Sequence, residues 1–163
     1  MLKLRKNKKG FTLVELIVVI AIMAVLAGVV AGVTVSQLNK QTNKTGSAQA
    51  NTIAQFLSQC ALTGEGDEAI TTDSEGEGGA ITTTFNQDKL TALLTKQYSS
   101  ASIKVDGTGG RGNVKVSIVE AAGDNKGKIE IYYQGKQSGT KGDVTYYVAV
   151  DGTITKVTPT TGG

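Results

Sequence analysis

Three hydrophobic patterns follow one another along the chain. The first ten residues are polar and basic, and an apolar run begins abruptly at Phe11. From Leu16 to Val33, 18 consecutive residues (LIVVIAIMAVLAGVVAGV) carry no charge or strongly polar group. As a helix this stretch is roughly 27 Å long, close to the hydrocarbon thickness of a bilayer. A soluble chain of 163 residues cannot enclose a helix of that length, so residues 11–35 read as a membrane span. After Val35 the chain turns polar but keeps a helical repeat, with Ile53, Phe56, Leu57, Cys60 and Ala61 on one face. The pattern predicts one long helix from Phe11 to about Leu62, with Gly46 as a candidate kink.

The remainder reads as a globular region. Residues 63–86 form a polar, glycine-rich loop, and Asn86 caps a short helix over Gln87–Gln97 that turns Leu90, Leu93 and Leu94 inward. The segment 101–163 has a period of two. Ser102–Val105 is strand-like; Val114, Val116 and Ile118 alternate with Lys115 and Ser117. Ile129, Ile131 and Tyr133 form a second alternating set, and Val144, Tyr146, Val148 and Val150 a third. Asp151-Gly152 predicts a two-residue hairpin into Thr153–Val157. Four antiparallel strands with one apolar face need a cover, which the Ile53–Ala61 stripe supplies. The expected fold class is α+β, with a long helix packed on an antiparallel four-stranded sheet.

Charge sharpens the division. Lys3, Arg5, Lys6, Lys8 and Lys9 precede the span, while everything from Phe11 onward carries 12 basic and 14 acidic residues, net −2. A nucleic-acid-binding body is not expected from that balance. The basic flank places the N-terminus in the cytoplasm and the globular region outside. With no His and one Cys, the chain has no Ser-His or Cys-His pair and no internal disulfide. No acid–base pair or metal constellation stands out, so neither an enzyme nor a cofactor or metal site is expected.

Several shorter patterns have bland readings. Gly107, Gly109 and Gly112 spell GxGxxG, yet a strand follows where phosphate binding needs a helix N-terminus, so the glycines read as a turn. Glu65, Asp67, Glu68, Asp73, Glu75 and Glu77 crowd the loop 63–86, and Asp73, Glu75, Glu77 and Gly78 partly imitate a calcium loop. The position that needs a bidentate Glu is Thr84, so a solvated acidic loop is the favoured reading. Asn43-Lys44-Thr45 matches a short glycosylation sequon, and Cys60, on the apolar stripe, reads as a buried thiol.

The apolar run itself admits three readings: a cleaved secretory signal, a permanent anchor, or something more specialised. Val25-Leu26-Ala27 and Val29-Val30-Ala31 are tolerable signal-cleavage sites. Against an ordinary signal or anchor stands Glu15, a carboxylate inside the start of the run. Ionisable residues within membrane segments are costly and mark function.

The stretch Lys8-Lys9-Gly10-Phe11-Thr12-Leu13-Val14-Glu15-Leu16 resembles the processing motif of type IV prepilins and their pseudopilin relatives. The resemblance implies a leader (residues 1–10) that a membrane-bound prepilin peptidase cuts between Gly10 and Phe11. It implies N-methylation of Phe11, and pairing of Glu15 with the Phe11 amine of a neighbouring subunit; within one chain the two residues lie one helical turn apart, so an intramolecular pair is the alternative. Residues 11–35 would then be a transmembrane and filament-core helix, and 36–163 an extracellular pilin domain (36–62 helix, 63–100 loop with a short helix, 101–163 sheet).

Most family members have Pro where this chain has Gly32 and Gly where it has Ala24. Here Gly28 and Gly32 form a GxxxG pair suited to close helix packing. A single Cys excludes the C-terminal disulfide loop of many pilins and resembles the disulfide-free pilins of Gram-positive bacteria. The implied function is a structural subunit of a type IV pilus, a surface filament for adhesion or twitching motility. The implied partners are other pilin subunits, prepilin peptidase, an assembly ATPase with its membrane platform protein, and membrane lipid. The alternatives are a pseudopilin of a type II secretion or DNA-uptake system and a non-polymerising anchored binding domain.

Overall fold

A computed structural model describes residues 10–64, 69–75, 79–98, 103–105, 110–136, 139–140 and 142–159. The helix α1 runs over Leu13–Thr63, within two residues of the span expected from the periodicity. Two compact units divide the chain, Met1–Leu38 and Asn39–Gly163.

In the first unit every large side chain of the helix is open. Exposure of its large apolar residues runs from 49% at Val19 to 73% at Leu13, and Phe11, just before the helix, is 92% exposed. An 18-residue window there reaches a mean hydropathy of 3.0, so the helix is long and apolar enough to cross a membrane.

The second unit is organised by the amphipathic half of α1. Gly46, Ala50, Ile53, Ala54, Leu57, Ser58 and Cys60 recur every three to four residues and are buried. They meet the apolar face of a sheet ordered β3 (Ile103–Lys104), β4 (Val114–Ile118), β5 (Ile129–Tyr133), β6 (Val144–Val148) and β7 (Ile154–Val157). β4 to β7 are the four antiparallel strands read from the alternation, and their registers put Val116 opposite Ile131 and Ile131 opposite Tyr146. Ile53, Leu57, Val116, Ile129, Ile131 and Val148 are fully enclosed. Each such side chain contributes about 1.5–3 kcal/mol of transfer free energy. Cys60, at 3% exposure, belongs to the same core.

The sheet has five strands rather than the expected four. β3 pairs with β4 in parallel through Ile103↔Val114 and Lys104↔Lys115. β3 falls within the strand-like Ser102–Val105, which the four-strand expectation left outside the sheet; only Ile103 of its two residues is buried.

A second correction lies in the segment expected to be loop. β1 (Thr71–Glu75) and β2 (Ile81–Phe85) form a separate antiparallel ribbon, from Thr71↔Phe85 to Glu75↔Ile81. The β-branched threonines suit extended backbone, but neither strand alternates apolar with polar because almost nothing in them is buried. The short helix α2 (Gln87–Gln97) is as expected: Asn86 accepts from the Asp88 and Lys89 amides, and Leu90, Leu93 and Leu94 are buried.

The last hairpin turns over three residues, not two. Ala149 N donates to Thr153 O at 2.9 Å and Gly152 N to Ala149 O at 2.9 Å, leaving Val150–Gly152 as the loop. Gly152 takes φ +78°, the left-handed conformation that ends such a turn. The carbonyl of Gly152 also accepts from the Ser58 hydroxyl at 2.5 Å, tying this turn to α1.

Candidate functional site

The N-terminus of α1 is closed by its own side chains. Thr12 N donates to Glu15 Oε2 at 2.9 Å and Thr12 Oγ1 donates to the same oxygen at 3.0 Å. In return Glu15 N donates to Thr12 Oγ1 at 3.2 Å. This reciprocal arrangement is a capping box, in which a Thr and a Glu three residues later satisfy amides that the helix leaves without partners. It counts for most where water is absent, because unsatisfied backbone groups are costly in hydrocarbon.

The box gathers three of the sequence-identified residues. Gly10, Phe11, Thr12 and Glu15 share one open groove of about 470 Å³. Glu15 is the single charge between Leu13 and Leu38. Gly28 and Gly32 lie farther along the same helix, and a Cβ built on either would meet nothing within 4 Å. Their smallness therefore answers no described contact within this chain. Thr12 was not singled out as functional by the sequence reading, although the signal was present: Thr-x-x-Glu ahead of an apolar run marks a capping box.

A second cluster of polar residues secures the globular unit. Tyr133, fully buried, donates from its hydroxyl to Thr42 O at 3.2 Å and to Asn43 Oδ1 at 3.3 Å, while Lys136 N donates to Asn43 Oδ1 at 2.9 Å. The Asn43 side chain of the sequon thus joins α1 to the loop after β5. Buried Asp143 accepts from Tyr132 Oη at 2.5 Å and from Gly135 N at 2.7 Å. Arg111 Nη1 donates to Gly135 O and Gly139 O, each at 3.2 Å. Burial and the hydrogen bond to Asp143 push the Tyr132 phenol up to about 12. These contacts position backbone: they hold the loop after β5 against α1 and β6.

The remaining motifs resolve as local structure. Gly112, at φ +88°, occupies a turn that leads into β4, while Gly107 and Gly109 lie outside the described residues. Asp73 accepts from Thr83 Oγ1 at 2.6 Å across the β1–β2 ribbon; Glu65, Asp67, Glu68, Glu77 and Gly78 lie outside the described residues. Among the described residues no group of three metal-ligating side chains forms.

No curated protein and no solved structure matches the chain. A family model does match, and it covers the capping box, most of the exposed apolar helix and four of the five basic residues before it. Over residues 5–31 the chain carries the prokaryotic N-terminal methylation motif, consistent with a type IV pilin-like prepilin.

Proposed function

We propose that the chain is a structural subunit of a type IV pilus, not an enzyme. A prepilin peptidase removes residues 1–10 by opening the Gly10–Phe11 bond, and the Phe11 amine it exposes is methylated. Residues 11–35 hold the subunit in the membrane as a single span, with the N-terminus cytoplasmic and 36–163 outside. An assembly ATPase and membrane platform then drive polymerisation with other copies, and the span becomes the core of a surface filament used for adhesion or motility. Gly28 and Gly32 let neighbouring helices approach closely in that core. The lone Cys supports a Gram-positive source.

One observation carries this reading. The methylation motif coincides with a helix that is apolar on every side and bears a single carboxylate one turn from the cleavage junction. A carboxylate in hydrocarbon needs a countercharge, and cleavage would create one at Phe11. N-terminal mass spectrometry of material sheared from cells provides the test. The expected mature terminus is methylated Phe11; a terminus at Gly28 or Gly32 would establish ordinary signal processing instead. Electron microscopy separates the nearest alternative, since a pseudopilin gives short structures within the envelope where a pilin gives long external fibres.

A further inference from the structure

Two surfaces of the globular unit carry opposite charge. The first is the β1–β2 ribbon, in which Thr72–Glu75 and Ile81–Thr84 are all exposed. Its charges are Asp73 and Glu75, and Ile81, paired across from Glu75, is 67% exposed. Only Phe85 and the adjoining Ile70, at its base, reach the core. The second is an open groove of about 460 Å³ between α1 and the edge strand β7, lined in part by Lys44, Ala48, Asn51, Tyr146 and Lys156. Asp143 also lines it, but that carboxylate is buried and taken by Tyr132 and Gly135. The groove therefore presents the positive charges of Lys44 and Lys156. We propose that the β1–β2 ribbon of one copy docks in the α1–β7 groove of a second copy, with Asp73 and Glu75 facing Lys44 and Lys156. The proposal rests on the polymerisation proposed above.

A two-stranded ribbon with so little buried is marginal by itself, and a partner surface would complete it. The groove offers what the ribbon lacks: two cations, the Tyr146 ring for Ile81, and beside them a strand at the sheet's edge. An edge strand is a template for another extended segment, and the ribbon is already extended. Complementary charge fixes which partner is accepted and in what register. Ribbon and groove are different patches of one chain, so the contact is heterologous: each docked copy keeps its own second patch open, and the contact propagates as a row.

Charge on an exposed ribbon or an edge strand also serves solubility alone, and the test separates the two roles. Full-length chains are expressed in a piliating host, and whole cells are treated with a mild thiol oxidant. Ser74 lies between the two carboxylates and Ala48 lines the groove, so Ser74→Cys and Ala48→Cys together should give a ladder of dimers, trimers and higher species on non-reducing gels. Either single variant, which controls for the buried Cys60, should give none. Absence of the ladder, or a product that ends at the dimer, would overturn the proposal. In the second arm the ladder is measured per processed subunit after charge reversal. Asp73→Lys with Glu75→Lys, and separately Lys44→Glu with Lys156→Glu, should each lower it roughly tenfold, because two attractions become repulsions. All four reversals in one chain should restore it to within about threefold. Unchanged ladders in both pairs, or no recovery in the fourfold variant, would overturn the docking. Long fibres without a ladder would remove the docking and leave the pilus reading standing; a ladder without external fibres would keep the docking and remove the pilus reading.

Discussion

Replacing Gly46 with Ala sets two known effects against each other. In an exposed helix interior the change stabilises by about 1 kcal/mol, because Ala loses less backbone freedom on folding. Here Gly46 is buried, and a Cβ would lie 2.0, 2.2 and 2.7 Å from Cε2, Cζ and Cδ2 of Tyr133. The ring has little room to yield. Tyr133 is fully enclosed, its strand neighbours are Val114 and Val144, and its hydroxyl is bonded at α1. Forced overpacking costs roughly 1–3 kcal/mol, and disturbing the hydroxyl's hydrogen bonds adds about 0.5–1.5 kcal/mol each. The clash outweighs the propensity gain, leaving a net loss of about 2–4 kcal/mol. For a unit of this size the unfolding midpoint should fall by on the order of 10 °C. Urea and thermal unfolding of the full chain in detergent, followed by tyrosine fluorescence, measures it. Adding Tyr133→Leu to Gly46→Ala should recover part of the loss, since each change then removes the other's obstacle. A Gly46→Ala protein as stable as wild type, or stabilised by the propensity term, would refute the close-approach argument.

Three further outcomes are expected. Tyr132, pushed up to about 12, is joined by Tyr98, Tyr133 and Tyr147, each raised chiefly by burial. A phenol that holds its proton more tightly when folded contributes stability that is complete below about pH 10 and is lost as the pH climbs towards 12. Unfolding should therefore track tyrosinate absorbance near 295 nm over that window, and a native fold unchanged above pH 12 would contradict the hydrogen-bonded assignment. Cys60→Ser should cost about 1–3 kcal/mol for enclosing a hydroxyl while leaving fibres intact; a Cys60-linked dimer on non-reducing gels of native fibres would show that the thiol is not buried there. Glu15→Gln and Glu15→Ala should be inserted and cleaved but yield few fibres, because the amine then enters an apolar core unpaired at a cost of several kcal/mol. Normal fibre abundance in both would return the chain to the class of simple anchored domains.

What the sequence revealed depended on whether an element's reason for existing was local. The strands β4 to β7 were legible because one face of each is buried, so Val114-Lys115-Val116 and Ile129-Glu130-Ile131 alternate visibly. α2 was legible from Asn86 and its three leucines. The β1–β2 ribbon was hidden for the opposite reason: exposed on nearly every side, it has no alternation, and its acidic residues resemble those of a loop. β3 lies inside the strand-like Ser102–Val105, but two residues carry no signal for a parallel pairing with β4. Gly46 was noticed as a possible bend, but its partner Tyr133 lies on a distant strand that no local pattern could connect to it. At the N-terminus the family motif drew attention to Glu15 and away from Thr12, although Thr-x-x-Glu already spelled the capping box that the two residues form.

The two halves of α1 show why a single helix can serve two environments. From Asn39 onward its apolar residues fall on one stripe, and that stripe is covered by this chain's own sheet. Between Leu13 and Leu38 the apolar residues surround the axis, and no described residue covers them. An amphipathic helix is completed by its own fold; a helix apolar on every side is completed only by lipid or by other chains. In hydrocarbon the one charge this segment must tolerate is Glu15, and the capping box reduces that burden by placing the carboxylate at the helix's positive end and giving it two donors. The uncovered apolar surface sets the requirement: this segment needs lipid or other chains around it, as the proposed membrane span and filament core would supply.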